Sequence, residues 1–257
     1  MSVFKQLIEI PRRIAARLRD KRTAPRYPVH PDFPLSVSLR VLGTKTSGAG
    51  AAVDVALQNL CTNGAGIRWP GPVSLVRGDK AQLRLAAAGG LMEIPCQVAH
   101  VEAFADHARV GLFLQFTEID TQRTFAGLLE AVAVGASLQP VPPVLEGLEA
   151  RGRRIEQFQA DNRARLTVWR DPATRAIDRF ELDLGSRRLR GEAGGTRLEV
   201  QARKATARPA RTVPSGPAHP AGAADHAAER RALGWIAANL PEAMPADLRE
   251  FLRRFAA

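Results

Sequence analysis

From Leu35 onward the sequence repeats with a period of two. Leu35, Val37, Leu39 and Val41 alternate with Ser36, Ser38 and Arg40. That spacing places one apolar and one polar face on an extended strand, and it is incompatible with the 3.6-residue period of an amphipathic helix. Val53, Val55 and Leu57 alternate in the same way, and strand-like runs recur at Ile67-Arg68-Trp69, Ala81 to Leu85, Ile94 to Val101 and Val110 to Phe116. Turn-forming residues separate them at Gly43 to Gly50, at Thr62-Asn63-Gly64-Ala65-Gly66 and at Pro70-Gly71-Pro72. The period then lengthens between Ile119 and Val134, where Phe125, Leu128, Leu129 and Val132 mark one face of a helix. Short strands, frequent turns and a closing helix predict a mainly β fold, a small antiparallel barrel over residues 21–135.

Other elements flank this barrel. Val3, Phe4, Leu7, Ile8, Ile14 and Leu18, with Arg12, Arg13, Arg17 and Arg19 between them, predict a basic amphipathic N-terminal helix over 1–20, interrupted at Pro11. Its apolar face has two readings: docking on the barrel, or contact with an anionic membrane surface. Residues 141–204 are expected to form a smaller unit of one charged helix, Leu145 to Asn162, and a β-meander. The meander strands are Leu166 to Trp169, Ile177 to Leu184 and Thr196 to Gln201, with turns at Asp171-Pro172 and Gly194-Gly195. Within it, the run Arg187-Arg188-Leu189-Arg190 reads as a solvated turn. An Ala/Pro/Gly-rich stretch over 205–225 reads as a flexible linker. The segment 226–257 reads as a helical tail, split around Pro241 and Pro245. Its face of Leu248, Phe251 and Leu252, backed by Arg249, Arg253 and Arg254, suggests an amphipathic helix that docks on a protein partner.

Charge is placed unevenly. Residues 1–30 hold eight Lys/Arg against two acids, residues 31–140 eight against nine, and the remainder 21 against 15. A near-neutral body with cationic flanks points to an anionic partner. The two cysteines, Cys61 and Cys96, are too few for a disulfide framework and fit a reducing cytosol. Five scattered histidines form no metal-ligand spacing, and no nucleophile–base set or phosphate loop is present, so an enzyme is not expected and no cofactor is implied. No run approaches the ~20 apolar residues that cross a bilayer, and the first ten residues lack the apolar stretch of a signal peptide. The expected location is the cytoplasm, or the inner-membrane surface if the N-terminal helix lies on lipid.

Two motifs in the first unit carry the functional information. One is Arg22-Thr-Ala-Pro-Arg26, preceded by Lys21; the other is Asn59-Leu-Cys-Thr-Asn-Gly64, running into Ala65-Gly66-Ile67. Together they resemble the signature of PilZ domains, Arg-x-x-x-Arg followed by Asp/Asn-x-Ser-x-x-Gly, in the same order and strand context. The likeness covers roughly residues 20–135. It implies a bacterial signalling protein that binds cyclic di-GMP. Arg22 and Arg26 would grip guanine and phosphate, and Asn59 and its loop would hold the other base edge and ribose. A planar guanidinium matches the O6/N7 edge of guanine bidentately and also neutralises phosphate. Lys21, Gly64, Gly66 and Trp69 complete the expected ligand-binding set, the glycines through positive φ or close approach and Trp69 by stacking on a base, though a core position suits that tryptophan as well. Asn63-Gly64 reads as a tight turn with left-handed backbone.

Cys61 departs from the pattern, standing where the family has Ser. A thiol donates more weakly than a hydroxyl, so its presence weakens a ligand hydrogen bond or marks a small buried apolar residue instead. Two functions follow. In the first, the chain is a cyclic di-GMP receptor that changes conformation and regulates a protein partner in motility or exopolysaccharide synthesis. In the second, it is a PilZ-like interaction scaffold that does not bind the messenger. Nucleic-acid binding by the basic C-terminal region is disfavoured by the 5% aromatic content and the lack of a recognition motif.

Overall fold

A computed structural model describes residues 24–42, 50–87, 90–141, 149–150, 153–202 and 223–256. The expected N-terminal helix, Lys21, Arg22, most of the 43–50 turn and nearly all of the 205–225 linker lie outside the described residues.

The first unit is one eight-stranded antiparallel sheet. Its strands are β1 (Tyr27–Pro28), β2 (Ser36–Val41), β3 (Ala52–Asp54), β4 (Ala56–Cys61), β5 (Gly64–Pro70), β6 (Lys80–Ala87), β7 (Gly90–Ala103) and β8 (His107–Leu114). Their spatial order is β1-β4-β5-β8-β7-β6-β2-β3. The sheet curls because β3, paired with β2, runs on through Val55 into β4, paired with β5. Val55 N–H bonds Val37 O at 2.9 Å, so one stretch of chain joins β3 at one end of the strand order to β4, next to the other end. The alternation read from Leu35 to Val41 is what fills the interior: Val37 and Leu39 are buried, with Leu83 and Leu85 of the neighbouring strand. Helix α1 (Ile119–Ser137) closes the unit, burying Phe125, Leu128 and Val132, with Phe125 5.0 Å from the Phe116 ring. Each such side chain removed from water contributes about 1.5–3 kcal/mol, so this helix face is part of the core.

Residues 145–162 correct the expected charged helix. They contribute β10 (Glu149–Ala150) and β11 (Arg153–Gln159), and β11 also pairs with β9 (Gln139–Pro140). With β12 (Arg165–Arg170), β13 (Ile177–Asp183), β14 (Arg187–Glu192) and β15 (Glu199–Ala202) they build a second antiparallel sheet. The period-two signal was hidden because the inner face of this sheet mixes charge with apolar residues. Phe158 opposite Leu166 and Glu156 opposite Val168 share that face with Arg170. Arg170 is buried because Glu156 accepts from its Nε at 2.8 Å and Asp247 accepts from both terminal nitrogens. The run Arg187–Arg190, read as a turn, is strand β14. Arg187 points into the body, where Glu130 of α1 and Glu229 accept its hydrogen bonds at 2.9 and 2.7 Å.

The C-terminal segment folds as α2 (Ala223–Ala238) and α3 (Ala246–Arg254). It is not a free tail. Leu248, Phe251, Leu252 and Phe255 are buried, and the rings of Phe251 and Phe255 meet Phe180 of β13 at 6.1 and 5.3 Å. Gly191 of β14 leaves the space for this cluster: a β-carbon there would stand 2.5 Å from Phe180 and 2.7 Å from Phe255. The amphipathic face expected to dock on an external partner is satisfied within the chain. Helix α2 packs on α1 at Gly135, where a β-carbon would stand 2.8 Å from Ile236 O. Among the described residues no helix is long and apolar enough to cross a membrane.

Candidate functional site

The register of four strands assembles the second motif. Asn59 on β4 lies opposite Gly66 on β5, Gly66 opposite Gly111 on β8, and Gly111 opposite His100 on β7. Irregularities at Gln58 and Ala99 interrupt the two outer ladders. Each adds a residue to its strand, which re-aims Asn59 and His100. On β8 the inward residues Ala108, Val110, Leu112 and Leu114 are buried, so His107, Arg109, Gly111 and Phe113 face outward. Asn59, Gly66, Gly111 and His100 therefore form one row across the outer face of the barrel.

Within that row the Asn59 carboxamide lies directly over Gly66. A β-carbon at Gly66 would stand 2.6 Å from Nδ2, 2.7 Å from Oδ1 and 2.9 Å from Cγ. Among the described residues nothing hydrogen-bonds this carboxamide, which leaves its donors and acceptor available to a ligand.

The hairpin beside it turns at Thr62-Asn63, closed by the Cys61–Gly64 pair. Neither Asn63, Gly64 nor Gly66 has positive φ, which corrects the left-handed turn expected there. The glycines serve close approach instead: at Gly64 a β-carbon would meet Leu112 O at 3.0 Å and Cys61 Sγ at 3.1 Å. Cys61 is buried, its thiol 3.9 Å from Asn63 Oδ1, so it packs as a small residue under the hairpin.

The first motif approaches the same place. Tyr27 pairs with Leu60 and Pro28 with Asn59, so the backbone of Arg26 enters beside Cys61 at the edge of the hairpin. Val29 and Phe33, both buried, anchor the segment behind it. The Arg26 side chain is exposed, and among the described residues no carboxylate pairs it. Arg22 and Lys21 lie outside the described residues. Trp69 is on the other side of β5: it sits opposite buried Ala108 and packs against the core. The structure thus brings Arg26, Asn59, Gly64 and Gly66 together with Cys61 beneath, and separates Trp69 from them.

Two residues of the row, His100 and Gly111, were missed from the sequence. Nothing local marks them, because they reach the site only through the pairing of β7 and β8. Farther along the same outer face the arginines are already engaged. Arg68 donates to Asp106 at 3.0 Å, and Arg109 lies 3.9 Å from Glu102 and 5.1 Å from the Phe104 ring centre. A hydrogen bond from the His107 ring, reinforced by the charges of His107 and Arg68, holds the Asp106 carboxyl below its ordinary 3.8. Arg26 is therefore the described cation best placed to meet an anion near the hairpin. A buried carboxamide ties this edge to the C-terminal helices. The Asn239 side chain, buried at the end of α2, accepts from His30 N at 2.7 Å and donates to Pro28 O and Val132 O at 3.0 Å.

Comparison with known families places this architecture. The family model for the PilZ domain matches residues 20–131. Among solved structures, the chain is similar to the K. pneumonia MrkH–c-di-GMP complex, at 17% identity and a TM-score of 0.33, over 40% of this chain and 48% of that one. It is also similar to MrkH described as a c-di-GMP-dependent transcription regulatory factor, at 16% identity and TM-score 0.33, over 40% and 47%. A third similarity is to the PilZ domain of CeSA from a cellulose-synthesizing bacterium, at 15% identity and TM-score 0.30, over 41% and 94%. The matched region spans about half the length of the MrkH chains. No curated protein matches the sequence.

Proposed function

We propose that the chain is a cyclic di-GMP receptor that binds the messenger between the Arg22–Arg26 segment and the outer face of the barrel at Asn59–Gly66, with no chemistry performed on it. One observation carries this reading. The pairing of Pro28 with Asn59 leads an arginine with no described ion partner to the edge of a hairpin whose asparagine amide is unspent. The residue types suit the ligand, since guanidinium serves phosphate and the guanine O6/N7 edge, and a carboxamide serves the opposite edge of a base. The PilZ match over residues 20–131 supports the same ligand class.

Regulation of a partner follows from the Asn239 contacts. Capture of the messenger engages Arg26, next to Tyr27, and the segment Pro28–His30 is held by Asn239 of the C-terminal helical pair. The signal then passes to α2 and the second sheet. Because the face of Leu248, Phe251 and Leu252 is buried internally, a protein partner meets other surfaces of the C-terminal unit. Two free, buried thiols fit a cytoplasmic protein.

The experiment is a calorimetric titration of the full chain with cyclic di-GMP. Saturable binding, lost on Arg26→Ala, supports the receptor. Absence of heat at saturating messenger leaves the interaction scaffold, for which the buried thiol at the serine position speaks.

A further inference from the structure

Gly111 stands in the middle of β8 without any need of the fold for a glycine there. Its φ is not in the left-handed region. A β-carbon built on it would meet nothing closer than His100 Cβ at 3.6 Å and His100 N and O at 3.9 Å, ordinary van der Waals contact. Gly66, one strand away, differs: its hydrogen is required because Asn59 fills the space. Glycine inside a strand weakens it and commonly marks a place where another molecule approaches the backbone closely. Here the approach is from the outer face, since Val110 and Leu112 on either side point into the core.

The surroundings of Gly111 on that face suit a flat, polar ring. On one side the Asn59 carboxamide lies over Gly66, one strand away; on the other is exposed His100. At about 4.8 Å per strand step, the Cα atoms of Asn59 and His100 are roughly 14 Å apart, with the backbone of Gly66 and Gly111 between them. Two residues along β8, about 7 Å away, the Phe113 ring projects outward and is 45% exposed. An exposed aromatic side chain, an imidazole and an amide around a bare stretch of backbone offer stacking and hydrogen bonds to a base.

We propose that Gly111 is the floor of a base-binding ledge, walled by Asn59, His100 and Phe113, that takes one guanine of the bound cyclic dinucleotide and fixes the preference for guanine. This rests on the receptor reading above. His100 supplies the hydrogen bond that reads the base edge, Phe113 packs against the base, and the missing side chain at Gly111 sets the depth at which the base lies.

The test is calorimetry on the full chain with cyclic di-GMP and cyclic di-AMP, for the unaltered protein, His100→Ala, Phe113→Ala, Gly111→Ala and Gly111→Val. Thermal unfolding is followed in parallel. The alanine at 111 fits the sheet and the valine fills the ledge. Expected are a loss of affinity for cyclic di-GMP of about five- to tenfold for each of His100→Ala and Phe113→Ala, a larger loss for Gly111→Val than for Gly111→Ala, and a narrowed guanine-over-adenine ratio in His100→Ala. Phe113→Trp supplies a second readout, a change in the added tryptophan emission on titration. If the unaltered protein binds while all four variants bind within twofold of it and the Phe113→Trp signal is flat, the ledge is refuted and the receptor reading survives. Failure of the unaltered protein to bind overturns both.

Discussion

The Asn59 carboxamide occupies the volume that a side chain at Gly66 would take, with Nδ2 2.6 Å from the position of a β-carbon there. Alanine at 66 therefore has to displace Asn59 or push β4 away from β5. Gly66→Ala is expected to weaken messenger binding at least tenfold and to destabilise the fold by about 1–3 kcal/mol, the usual range for overpacking. Calorimetry and urea unfolding measure the two effects separately. Affinity unchanged in a folded Gly66→Ala protein argues that Asn59 takes no part in binding.

Arg26 is exposed and serves no described ion pair, so it contributes little to folding. Arg26→Ala is expected to leave the unfolding midpoint unchanged while costing about 1–3 kcal/mol in affinity. Arg26→Lys keeps the charge but not the planar fork, and is expected to recover only part of that loss. Full recovery by lysine points to a charge contact alone.

Asn239 satisfies three backbone groups on two separate segments, at Pro28 and His30 and at Val132. Its replacement by alanine leaves those groups unpaired in a buried place, at a cost of about 2–4 kcal/mol. Hydrogen exchange gives the specific signature: the His30 amide is expected to lose protection more than the amides of β6 and β7. Uniform loss of protection throughout the barrel contradicts a local clamp on this segment.

The Arg170–Asp247 pair sets an acid limb to stability. The hydrogen bonds from Arg170, more than its charge, hold the Asp247 carboxyl below its ordinary 3.8. A carboxylate depressed in the folded state stabilises fully above the unfolded value and ceases to do so as pH falls through the folded one. The contribution is thus intact at neutral pH and fades below about pH 3.8. It is modest because the Asp247 side chain is 56% exposed. Asp247→Asn is expected to flatten the acid limb of the unfolding midpoint against pH. Arg170→Met, which strands Glu156 beside the core, is expected to cost roughly 2–4 kcal/mol near neutrality. Identical pH profiles for Asp247→Asn and the parent protein refute the assignment.

Burial pushes the Cys96 thiol up to about 12, and Cys61 is buried as well. Neither is expected to react with a thiol reagent at pH 8 until the protein unfolds. Rapid labelling of one thiol in the native protein shows that its shell opens.

The barrel was legible in the sequence because its strands have one wet and one dry face. Val37, Leu39, Leu83 and Leu85 alternate with polar neighbours, and they are the residues that fill the interior. The helix from Ile119 was legible for the corresponding reason at period 3.6. The second sheet was only partly legible. Strand β11 carries Glu156 inward because its charge meets Arg170 across the sheet, and an inward carboxylate erases the alternation that identifies a strand. The amphipathic face around Phe251 was visible, but its partner, Phe180, is some seventy residues away, and amphipathicity does not say whether the partner is internal. At the site, Arg26, Asn59 and Gly66 were found by motif, whereas His100 and Gly111 arrive through strand pairing that no local pattern encodes. Of the two readings of Trp69, base stacking and core, the structure has the core one: alternation in the short run Ile67-Arg68-Trp69 puts the tryptophan with Ile67.

The most direct measurement is isothermal titration of the full chain with cyclic di-GMP, run beside Arg26→Ala and Asn59→Ala. Saturable binding by the parent, weakened at least fivefold in each variant with their unfolding midpoints preserved, is the expected result. No heat from the parent at saturating messenger, or equal binding by all three proteins, contradicts a receptor site at this edge of the barrel.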